Sequence, residues 1–352
     1  MVKLLTMKKY FIKTFGCQAN EADSERIAQL YQNRGYQPAK TIKEADVVII
    51  NSCSVRESAE NRVFGLINNL TMRSALCPKR PKVVLAGCLL RHGVTTLRKK
   101  LPQVNEFLRM EDYRFNLTPV RKEEKTALVP IMEGCSHYCS YCVVPYARGR
   151  EKSRPFEEIV CEVEKLTQQG YQEITLLGQN VNSYGKDLRP RREFNQLLQR
   201  LHEIKGIERI SFLTSNPWDL TNDIIQSIKL PKIDKYLHLP VQSGDDEILK
   251  KMNRPYTALQ YIKLVKKIKK EIPEIEMGTD IIVGFPGETQ KAFQKTVDLC
   301  KKVSFAKAYI AKYSPRPGTP AFKLKNDVPS QEKKRRWRIL ETLINKKTKM
   351  ST

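Results

Sequence analysis

The 352-residue sequence has no run approaching 18 consecutive apolar residues, which excludes an ordinary membrane-spanning helix. Residues Met1 to Thr14 mix lysines into a strand-like pattern, without the apolar core or the cleavage site of a signal peptide. These two absences predict a cytoplasmic protein with no membrane partner.

Acidic residues are scarce relative to basic ones, because 38 Asp and Glu stand against 63 Lys and Arg, a formal net charge of +25. Such an excess attracts polyphosphates, so nucleic acid is the leading candidate partner. A basic surface that binds no nucleic acid is the alternative. Residues 323–352 are especially basic and are a candidate phosphate-contacting tail, with a solvated helix as the alternative.

The nine cysteines lack the close spacing of a small disulfide scaffold, and a reducing compartment would keep them as thiols. Metal binding or catalysis is therefore the first role to consider. Three of them, Cys17, Cys53 and Cys88, each follow directly after a short apolar strand pattern. The patterns are Tyr10 to Phe15, Val47 to Ile50 and Val83 to Leu85.

A second triplet is compact, because the run from Gly134 to Cys142 reads GCSHYCSYC and has the spacing CxxxCxxC. Three thiolates in such a loop can hold a 4Fe-4S cluster and leave one iron with an open position for a chelating substrate. Zinc is the alternative, and His137 is the local candidate for its fourth ligand.

Strand and helix patterns alternate along the whole chain, which predicts an α/β protein. Residues 1–120 are predicted to form a parallel α/β domain, where strand ends meet and the three strand-end cysteines converge. Six further repeats in residues 121–322 predict a partial (β/α)6 barrel with its site at the carboxyl ends of the strands. A polar linker over 105–125 and a basic helical tail over 323–352 complete the expected order.

The CxxxCxxC spacing, with Tyr141 directly before its last cysteine, resembles the radical S-adenosylmethionine (SAM) superfamily. That resemblance assigns Cys135, Cys139 and Cys142 to a 4Fe-4S cluster whose open iron is chelated by SAM. Reductive cleavage of SAM in this superfamily gives a 5'-deoxyadenosyl radical that abstracts unreactive hydrogens. The cofactors would perform the difficult chemistry while the protein holds and shields them.

A closer resemblance, to the methylthiotransferases and most closely to the MiaB-type tRNA enzymes, covers nearly the whole chain. Seven separate segments carry it. They are TFGCQ from Thr14, NSCSVRE from Asn51, the run 142–155, LGQNV from Leu177, HLPVQSG from His238, DIIVGFPGE from Asp280 and YSPRPGT from Tyr313.

This resemblance implies that Cys17, Cys53 and Cys88 ligate a second 4Fe-4S cluster that holds or supplies sulfur. One SAM is consumed as methyl donor and another as radical source, so that C-H becomes C-S-CH3. The sequence from Ser54 to Glu57 resembles the branch acting on N6-isopentenyladenosine beside the tRNA anticodon. Expected partners are tRNA, SAM, an electron donor and a sulfur donor, the last two unidentified, and a monomer is expected.

Several polar residues near predicted strand ends are candidates for binding SAM or the base, and hydrogen bonding within the edge of the core is the alternative. They are Gln179, Asn180, Thr214, Ser215 and Gln242, with Tyr141 beside the cluster. Gly284 is a candidate for close approach of the backbone to SAM, with an ordinary βα turn as the alternative. Four arginines are candidates for phosphate or the SAM carboxylate, with surface salt bridges as the alternative. They are Arg148, Arg150, Arg154 and Arg316.

The remaining cysteines have simpler interpretations. Cys161 and Cys300 lie in helical patterns, where a free cysteine commonly serves as a small core hydrophobe. Cys77 precedes a proline in a basic loop and is interpreted as an incidental thiol.

Members of the family usually continue after the barrel into a small RNA-binding β-domain called TRAM, which the residues after Thr319 are too few to form. Either the sequence is a fragment of a longer protein, or affinity for tRNA is expected from the basic helix over 333–338. Two rival activities are methylthiolation of threonylcarbamoyladenosine in tRNA and of an aspartate in a ribosomal protein. A rival from another class is a non-catalytic RNA-binding protein whose fold is stabilised by bound metal.

Overall fold

A computed structural model of the chain describes residues 7–55, 57–71, 80–115 and 117–346. The chain divides into two compact units. One comprises Met1–Glu124 with Tyr146–Gly149, and the other comprises Lys125–Pro145 with Arg150–Thr352. None of the helices in the described ranges combines the length and the hydrophobicity that a bilayer crossing requires.

The first unit is built on a five-stranded parallel sheet with the strand order β2-β1-β3-β4-β5. Its elements are β1 (Lys9–Thr14), α1 (Gln18–Asn33), β2 (Gln37–Pro38), β3 (Val47–Ser52), α2 (Glu57–Thr71), β4 (Lys82–Gly87), α3 (Val94–Lys100) and β5 (Glu106–Leu108).

Strand β3 shows why this sheet is covered on both faces. All six of its residues are buried, as expected for a central strand of a parallel sheet. Because successive side chains point to opposite faces, Val48 and Ile50 pack in the core that includes α2, while Val47 and Ile49 pack in the core that includes α1. The first unit therefore has two apolar layers, one on each face of the sheet.

The expectation that 105–125 is a linker is wrong for its first part. Residues Glu106–Leu108 form β5, which pairs in parallel with β4 at the sheet edge. Leu108 and Tyr113 are buried in the core beside α1. The local sequence is polar because an edge strand buries few side chains, so periodicity gives little sign of it.

The rest of the chain repeats strand and helix regularly. The elements are β6 (Thr126–Pro130), β7 (Met132–Glu133), α4 (Val144–Arg148), β8 (Lys152–Ser153), α5 (Phe156–Gln168), β9 (Glu173–Leu177), α6 (Phe194–His202), β10 (Arg209–Phe212), α7 (Asn222–Ile228), β11 (Tyr236–His238), α8 (Asp246–Lys251), α9 (Ala258–Glu271), β12 (Glu276–Val283), α10 (Gln290–Val303), β13 (Lys307–Lys312) and α11 (Ser330–Glu341).

Six of these strands form the parallel repeat that the sequence predicts. They pair in the orders β6-β9-β10 and β11-β12-β13, and a parallel bridge from Ile210 to Ile233, just before β11, connects the two sets. On β12, Met277, Ile281 and Val283 join the main core of this unit. The carboxyl ends of the strands carry the loops in which most of the predicted site residues lie.

The helical cysteines differ from each other. Cys300 is buried in the main core, as predicted. Cys161 is exposed, so its interpretation as a core hydrophobe is wrong. In α5 the buried side is formed by other positions, including Ile159 and Val163, and Cys161 lies off that stripe. Cys77 lies outside the described residues.

Candidate functional site

In the first unit, the three predicted cysteines follow the carboxyl ends of adjacent parallel strands. Cys17 precedes the first turn of α1 after β1, Cys53 follows β3 directly, and Cys88 follows β4. Cys53 and Cys88 are buried, while Cys17 is exposed. Parallel strand ends meet at one edge of the sheet, so the spacing in sequence becomes proximity in space.

A buried amide network fixes the backbone around these cysteines. Asn51 donates through Nδ2 to the carbonyl of Asn20 at 2.7 Å, and Asn20 donates through Nδ2 to Asn51 Oδ1 at 3.2 Å. Gly87 has φ +85°, and a Cβ there would lie 2.4 Å from Asn51 Oδ1. Glycine is therefore required immediately before Cys88.

The electrostatics of this edge affect the thiol of Cys88. Burial raises the pKa of the Cys88 thiol, the guanidinium of Arg148 opposes that rise, and the neighbouring Cys53 and Cys17 add to it. Arg148 Nη2 lies 2.6 Å from Asp23 Oδ2, and both side chains are buried. Arg148 thus belongs to the first unit and pairs with a carboxylate there. It is therefore already engaged and does not match the expected role of binding phosphate or the SAM carboxylate.

In the second unit, Cys135, Cys139 and Cys142 lie in the loop that follows β7. Burial raises the pKa of Cys135 and of Cys142 to about 12, and Cys139 adds charge repulsion to both. Cys142 Sγ accepts the N-H of Val144 at 3.5 Å. Without a cation these two thiols stay protonated, so binding of a metal centre would release protons.

A segment that sequence reasoning missed holds this loop in place. Residues 251–256, KMNRPY, which we call the bracket, begin at the last residue of α8. Ser140 donates its N-H to the carbonyl of Met252 at 3.0 Å, and Asn253 donates through Nδ2 to the carbonyl of Tyr138 at 3.1 Å. Asn253 has φ +57°, a conformation that asparagine tolerates better than most residues.

Arg254 of the bracket reaches a cysteine directly. Its Nη1 donates to Cys139 Sγ at 3.4 Å and its Nη2 to the carbonyl of Pro240 at 2.9 Å. The guanidinium also lies over the rings of Trp218 and Tyr256, at 4.6 and 5.3 Å from their centroids. This arrangement fixes one positive charge against a candidate ligand of a metal centre.

His137, inside the cysteine loop, belongs to a polar network. Its Nε2 lies 3.3 Å from Asp219 Oδ2 and 2.9 Å from Asn180 Nδ2, and its ring packs edge-on against Trp218. Burial by itself would raise the pKa of Asp219, but hydrogen bonds from His137 and Lys186 help to hold it far below its ordinary range. Asp219 is therefore a fixed negative charge beside the loop.

The zinc interpretation has a geometric counterpart. Cys135, His137 and Glu151 each place one potential ligand atom within 4.8 Å of the others. Cys135 belongs both to the cysteine triplet of the loop and to this grouping. A 4Fe-4S cluster and a zinc ion therefore cannot both be ligated by Cys135 at the same time.

Two of the predicted SAM-binding residues carry buried oxygens that have no hydrogen-bond partner among the described residues. These are Gln242 Oε1 and Asn180 Oδ1, on residues 6% and 3% exposed. Gln242 has φ +66° and is held by backbone bonds to Asp280 and Ile282. An unpaired buried acceptor is costly, and the ammonium, hydroxyl and amino groups of SAM are donors of the kind it lacks. These residues fit the predicted cofactor.

Other predicted residues already have partners within the chain. Gln179 Oε1 accepts the N-H of Gly134 at 2.6 Å, so it fixes the start of the cysteine loop. Ser215 Oγ donates to the carbonyl of His238 at 2.6 Å, and Thr214 Oγ1 donates to that of Gly178 at 2.6 Å. These three side chains support the strand-end loops.

Tyr141 is partly buried in a small apolar cluster. The members of that cluster are Ile248, Met252, Phe285, Ala292, Tyr313, Ala321 and Ile282. The aromatic ring before the last cysteine therefore anchors the cysteine loop to the core.

Gly284 opens a tight turn that is held by the last helix. Its N-H donates to Glu288 Oε2 at 2.6 Å, and Arg336 Nη1 donates to the same oxygen at 2.7 Å. A Cβ on Gly284 would lie 2.3 Å from Cγ of Lys333, and its φ is +71°. Lys333 and Arg336 are buried, so the expectation that the whole 333–338 segment contacts phosphate is wrong for these two residues.

The other candidate arginines fall into two classes. Arg154 is buried and donates to the carbonyl of Pro130 and to Glu162 Oε2 at 2.8 and 2.7 Å, so it has a structural role. Arg316 is also buried. Arg150 is exposed and remains available for an anionic partner.

Two family models match the chain. Residues 9–108 match the model described as "Uncharacterized protein family UPF0004", and residues 129–300 match the model described as "Radical SAM superfamily". The first match contains Cys17, Cys53 and Cys88, and the second contains the CxxxCxxC loop.

Curated relatives match along almost the whole chain. A protein of Clostridium botulinum (strain Langeland) named tRNA-2-methylthio-N(6)-dimethylallyladenosine synthase is 44% identical over 97% of this chain and 82% of its own length. A protein of Clostridium perfringens (strain ATCC 13124) with the same name is 44% identical over 97% of this chain and 83% of its own length.

Solved structures share the fold at low sequence identity. The radical S-adenosylmethionine methyltransferase TsrM from Kitasatospora setae, solved with cobalamin and a [4Fe-4S] cluster, matches with a TM-score of 0.63 and 13% identity over 90% of this chain and 77% of its own. The cobalamin-dependent radical enzyme OxsB matches with a TM-score of 0.56 and 10% identity over 90% of this chain and 55% of its own.

Proposed function

Because the chain belongs to the family of the tRNA-2-methylthio-N(6)-dimethylallyladenosine synthases, which are radical SAM methylthiotransferases, we propose that it converts N6-dimethylallyladenosine in tRNA into its 2-methylthio derivative. The modified nucleoside is the one beside the anticodon. The enzyme uses two 4Fe-4S clusters and SAM, and it acts as a monomer in the cytoplasm with separate electron and sulfur donors.

The two cysteine triplets are assigned different clusters. Cys135, Cys139 and Cys142 hold the cluster that binds SAM, because CxxxCxxC leaves one iron without a protein ligand. The strand-end cysteines of the first unit hold the second cluster. When bound, the first cluster supplies the electron that cleaves SAM, and the second supplies the sulfur that is transferred.

The chain's own residues position these groups. Gln242 and Asn180 offer SAM their unpaired buried oxygens, and the Gly284 turn lets the backbone come close because glycine has no Cβ. Gln179 and the bracket hold the cysteine loop at fixed points on the barrel. Loops fixed in this way shield a reactive intermediate from water and from wrong partners.

One observation carries this function most directly, and it is the cysteine triplet of the first unit. A radical SAM enzyme needs one cluster to cleave SAM, whereas replacing C-H by C-S-CH3 also needs a source of sulfur. Cys17, Cys53 and Cys88 follow the ends of three adjacent parallel strands, and the charges of Cys53 and Cys17 help to raise the pKa of Cys88. That convergence favours a methylthiotransferase over a single-cluster radical enzyme or a metal-stapled RNA-binding protein.

The test is mass spectrometry of tRNA nucleosides from a strain that lacks the gene and from the same strain with the gene restored. We expect 2-methylthio-N6-dimethylallyladenosine to disappear, its precursor to accumulate, and both to return to normal on restoration. Loss of a 2-methylthio derivative of threonylcarbamoyladenosine instead would identify the other tRNA substrate. A methylthiolated aspartate that disappears from a ribosomal protein would identify the third.

A further inference from the structure

Exposed apolar side chains lie on the CxxxCxxC loop and on a segment that is hydrogen-bonded to it. Tyr138, Phe322 and Leu324 are 39%, 48% and 41% exposed. They lie on two segments that are bonded to each other, because the N-H of Ala321 donates to the carbonyl of Ser140 at 2.8 Å. Leaving large apolar side chains together in water is unfavourable, and such patches commonly mark binding surfaces.

The segment that carries Phe322 is firmly anchored. Ala321, the residue before it, is fully buried, and its carbonyl accepts the hydroxyl of Tyr313 at 2.9 Å. Val328, after the exposed stretch, is buried again. The aromatic ring is thus presented by a fixed segment, so this segment loses little conformational entropy when it binds a partner.

Basic residues alternate with the apolar ones. Residues 322–325 read Phe-Lys-Leu-Lys, and all four are exposed. Exposed aromatic rings that alternate with lysines suit unpaired nucleic acid, since bases stack on the rings while the lysines meet phosphates. A protein partner with an apolar face would not need the two cations, whereas a chain of net charge +25 already attracts polyphosphates.

We propose that Tyr138 and the exposed turn 322–325 form a docking surface for the unpaired nucleotides of the tRNA anticodon loop. Phe322 stacks on a base next to the reacting nucleoside, and Lys323 and Lys325 contact the backbone phosphates. This proposal rests on the proposed function, because it names how the same site receives its substrate. It gives a role to the exposed fractions of these apolar side chains.

The test measures binding without turnover. The reconstituted full chain is titrated by filter binding with tRNA carrying N6-dimethylallyladenosine, at several salt concentrations. Phe322→Ala should weaken binding about 5-fold or more, the loss expected for one stacked base, and Phe322→Trp should restore it. The double variant Lys323→Gln, Lys325→Gln should flatten the slope of log K against log salt by about 1.4, from about 0.7 for each lost phosphate contact.

A matched control lies on α9, away from the cysteine loop in sequence. Leu259 is 60% exposed, and Lys263 and Lys266 nearby are exposed as well. Leu259→Ala and the double variant Lys263→Gln, Lys266→Gln should leave affinity for tRNA within about 2-fold of the parent and leave more of the salt slope intact than the turn variants do. Iron content and circular dichroism should match the parent for every variant.

The outcomes separate this proposal from the proposed function. If the parent chain binds and methylthiolates tRNA while Phe322→Ala and the lysine variants bind it as tightly as the parent, the docking surface is overturned and the function stands. If the parent produces no methylthiolated nucleoside, the function fails whatever the affinities. If Phe322→Ala changes only the sedimentation coefficient, the patch joins two copies of the chain, and the RNA proposal is again overturned.

Discussion

The guanidinium of Arg254 donates a hydrogen bond to the sulfur of Cys139 over 3.4 Å, across 115 positions of sequence. The two residues come from the bracket after α8 and from the loop after β7. A fixed positive charge beside a thiolate stabilises the more negative state of whatever the thiolate binds. The relationship therefore bears on redox behaviour as well as on loop geometry.

Replacing Arg254 should change the reduction potential of the cluster at the CxxxCxxC loop. Arg254→Gln removes the charge, so the reduced cluster loses stabilisation and the potential should shift to more negative values, with slower SAM cleavage at a fixed reductant strength. Titration monitored by electron paramagnetic resonance measures the shift. Arg209→Gln is the control, because Arg209 is 55% exposed and pairs with Glu173 at the surface. A potential equal to the parent's at unchanged iron content would contradict the charge effect.

The buried pair of Arg148 and Asp23 predicts a large loss of stability in the first unit. Asp23→Ala leaves a buried guanidinium without its carboxylate, which should cost about 3–5 kcal/mol. Hydrogen exchange of the amides in Val47–Ser52, the central strand, reports the free energy of unfolding of that unit. Glu106→Ala breaks the exposed pair with Arg34 and should cost no more than about 1 kcal/mol. If Asp23→Ala and Glu106→Ala lowered the free energy of unfolding equally, burial of the Arg148–Asp23 pair would not determine its contribution to stability.

The sequence allowed the main course of the fold to be predicted, because it rests on local periodicity. The strands that precede Cys17, Cys53 and Cys88 were expected from short apolar runs, and the structure confirms that each cysteine follows a strand end. The edge strand Glu106–Leu108 was not expected, since it buries few side chains. Exposed Cys161 was misassigned because a single residue in an amphipathic helix can lie just off its buried stripe.

The contacts that organise the candidate site were harder to predict. Asn253 and Arg254 reach the cysteine loop from more than a hundred positions away, and no local pattern records such a contact. Lys333 and Arg336 look like surface cations in sequence, yet the fold buries both against the Gly284 turn. The burial of long basic side chains depends on tertiary packing, so it cannot be predicted from local sequence. The spacing of the cysteines, in contrast, indicates metal binding from the local sequence alone.

The Gly284 turn predicts a test of close packing. Gly284→Ala adds a methyl group within 2.3 Å of the Lys333 side chain and forces alanine to φ +71°. Gly170→Ala has a similar φ of +90°, and no atom of the described part of the chain lies within 4 Å of its Cβ, so it carries only the conformational cost, about 1 kcal/mol. Gly284→Ala should lose about 1–3 kcal/mol more stability than Gly170→Ala, and it should bind SAM more weakly in equilibrium dialysis. Indistinguishable variants would show that Lys333 moves aside freely.

Glu332 predicts a dependence of stability on pH. Hydrogen bonds from Arg335 and Arg336 lower the pKa of Glu332 to about 2, although slight burial acts in the opposite direction. A carboxyl whose folded pKa is depressed stabilises the protein above its unfolded pKa of about 4.3, and that contribution is lost as pH falls toward 2.

Urea unfolding of the parent and of Glu332→Gln should therefore differ by no more than about 1 kcal/mol at neutral pH, since the pair is partly exposed. The difference should shrink steadily below about pH 4 as the parent's carboxyl takes up a proton. A difference that stays constant between pH 7 and pH 3 would show that Glu332 acts through something other than its charge.

The central claim is that two separate cysteine triplets organise two iron-sulfur clusters with different tasks. The most direct measurement is anaerobic reconstitution of the parent, Cys139→Ala and Cys88→Ala, followed by assay of iron, of 5'-deoxyadenosine and of methylthiolated tRNA. The parent should bind about eight irons and each variant about four. Cys139→Ala should lose 5'-deoxyadenosine formation, while Cys88→Ala should keep it and lose methylthiolation. Folded variants that lose both activities together, or a parent that takes up zinc and no iron, would contradict the account.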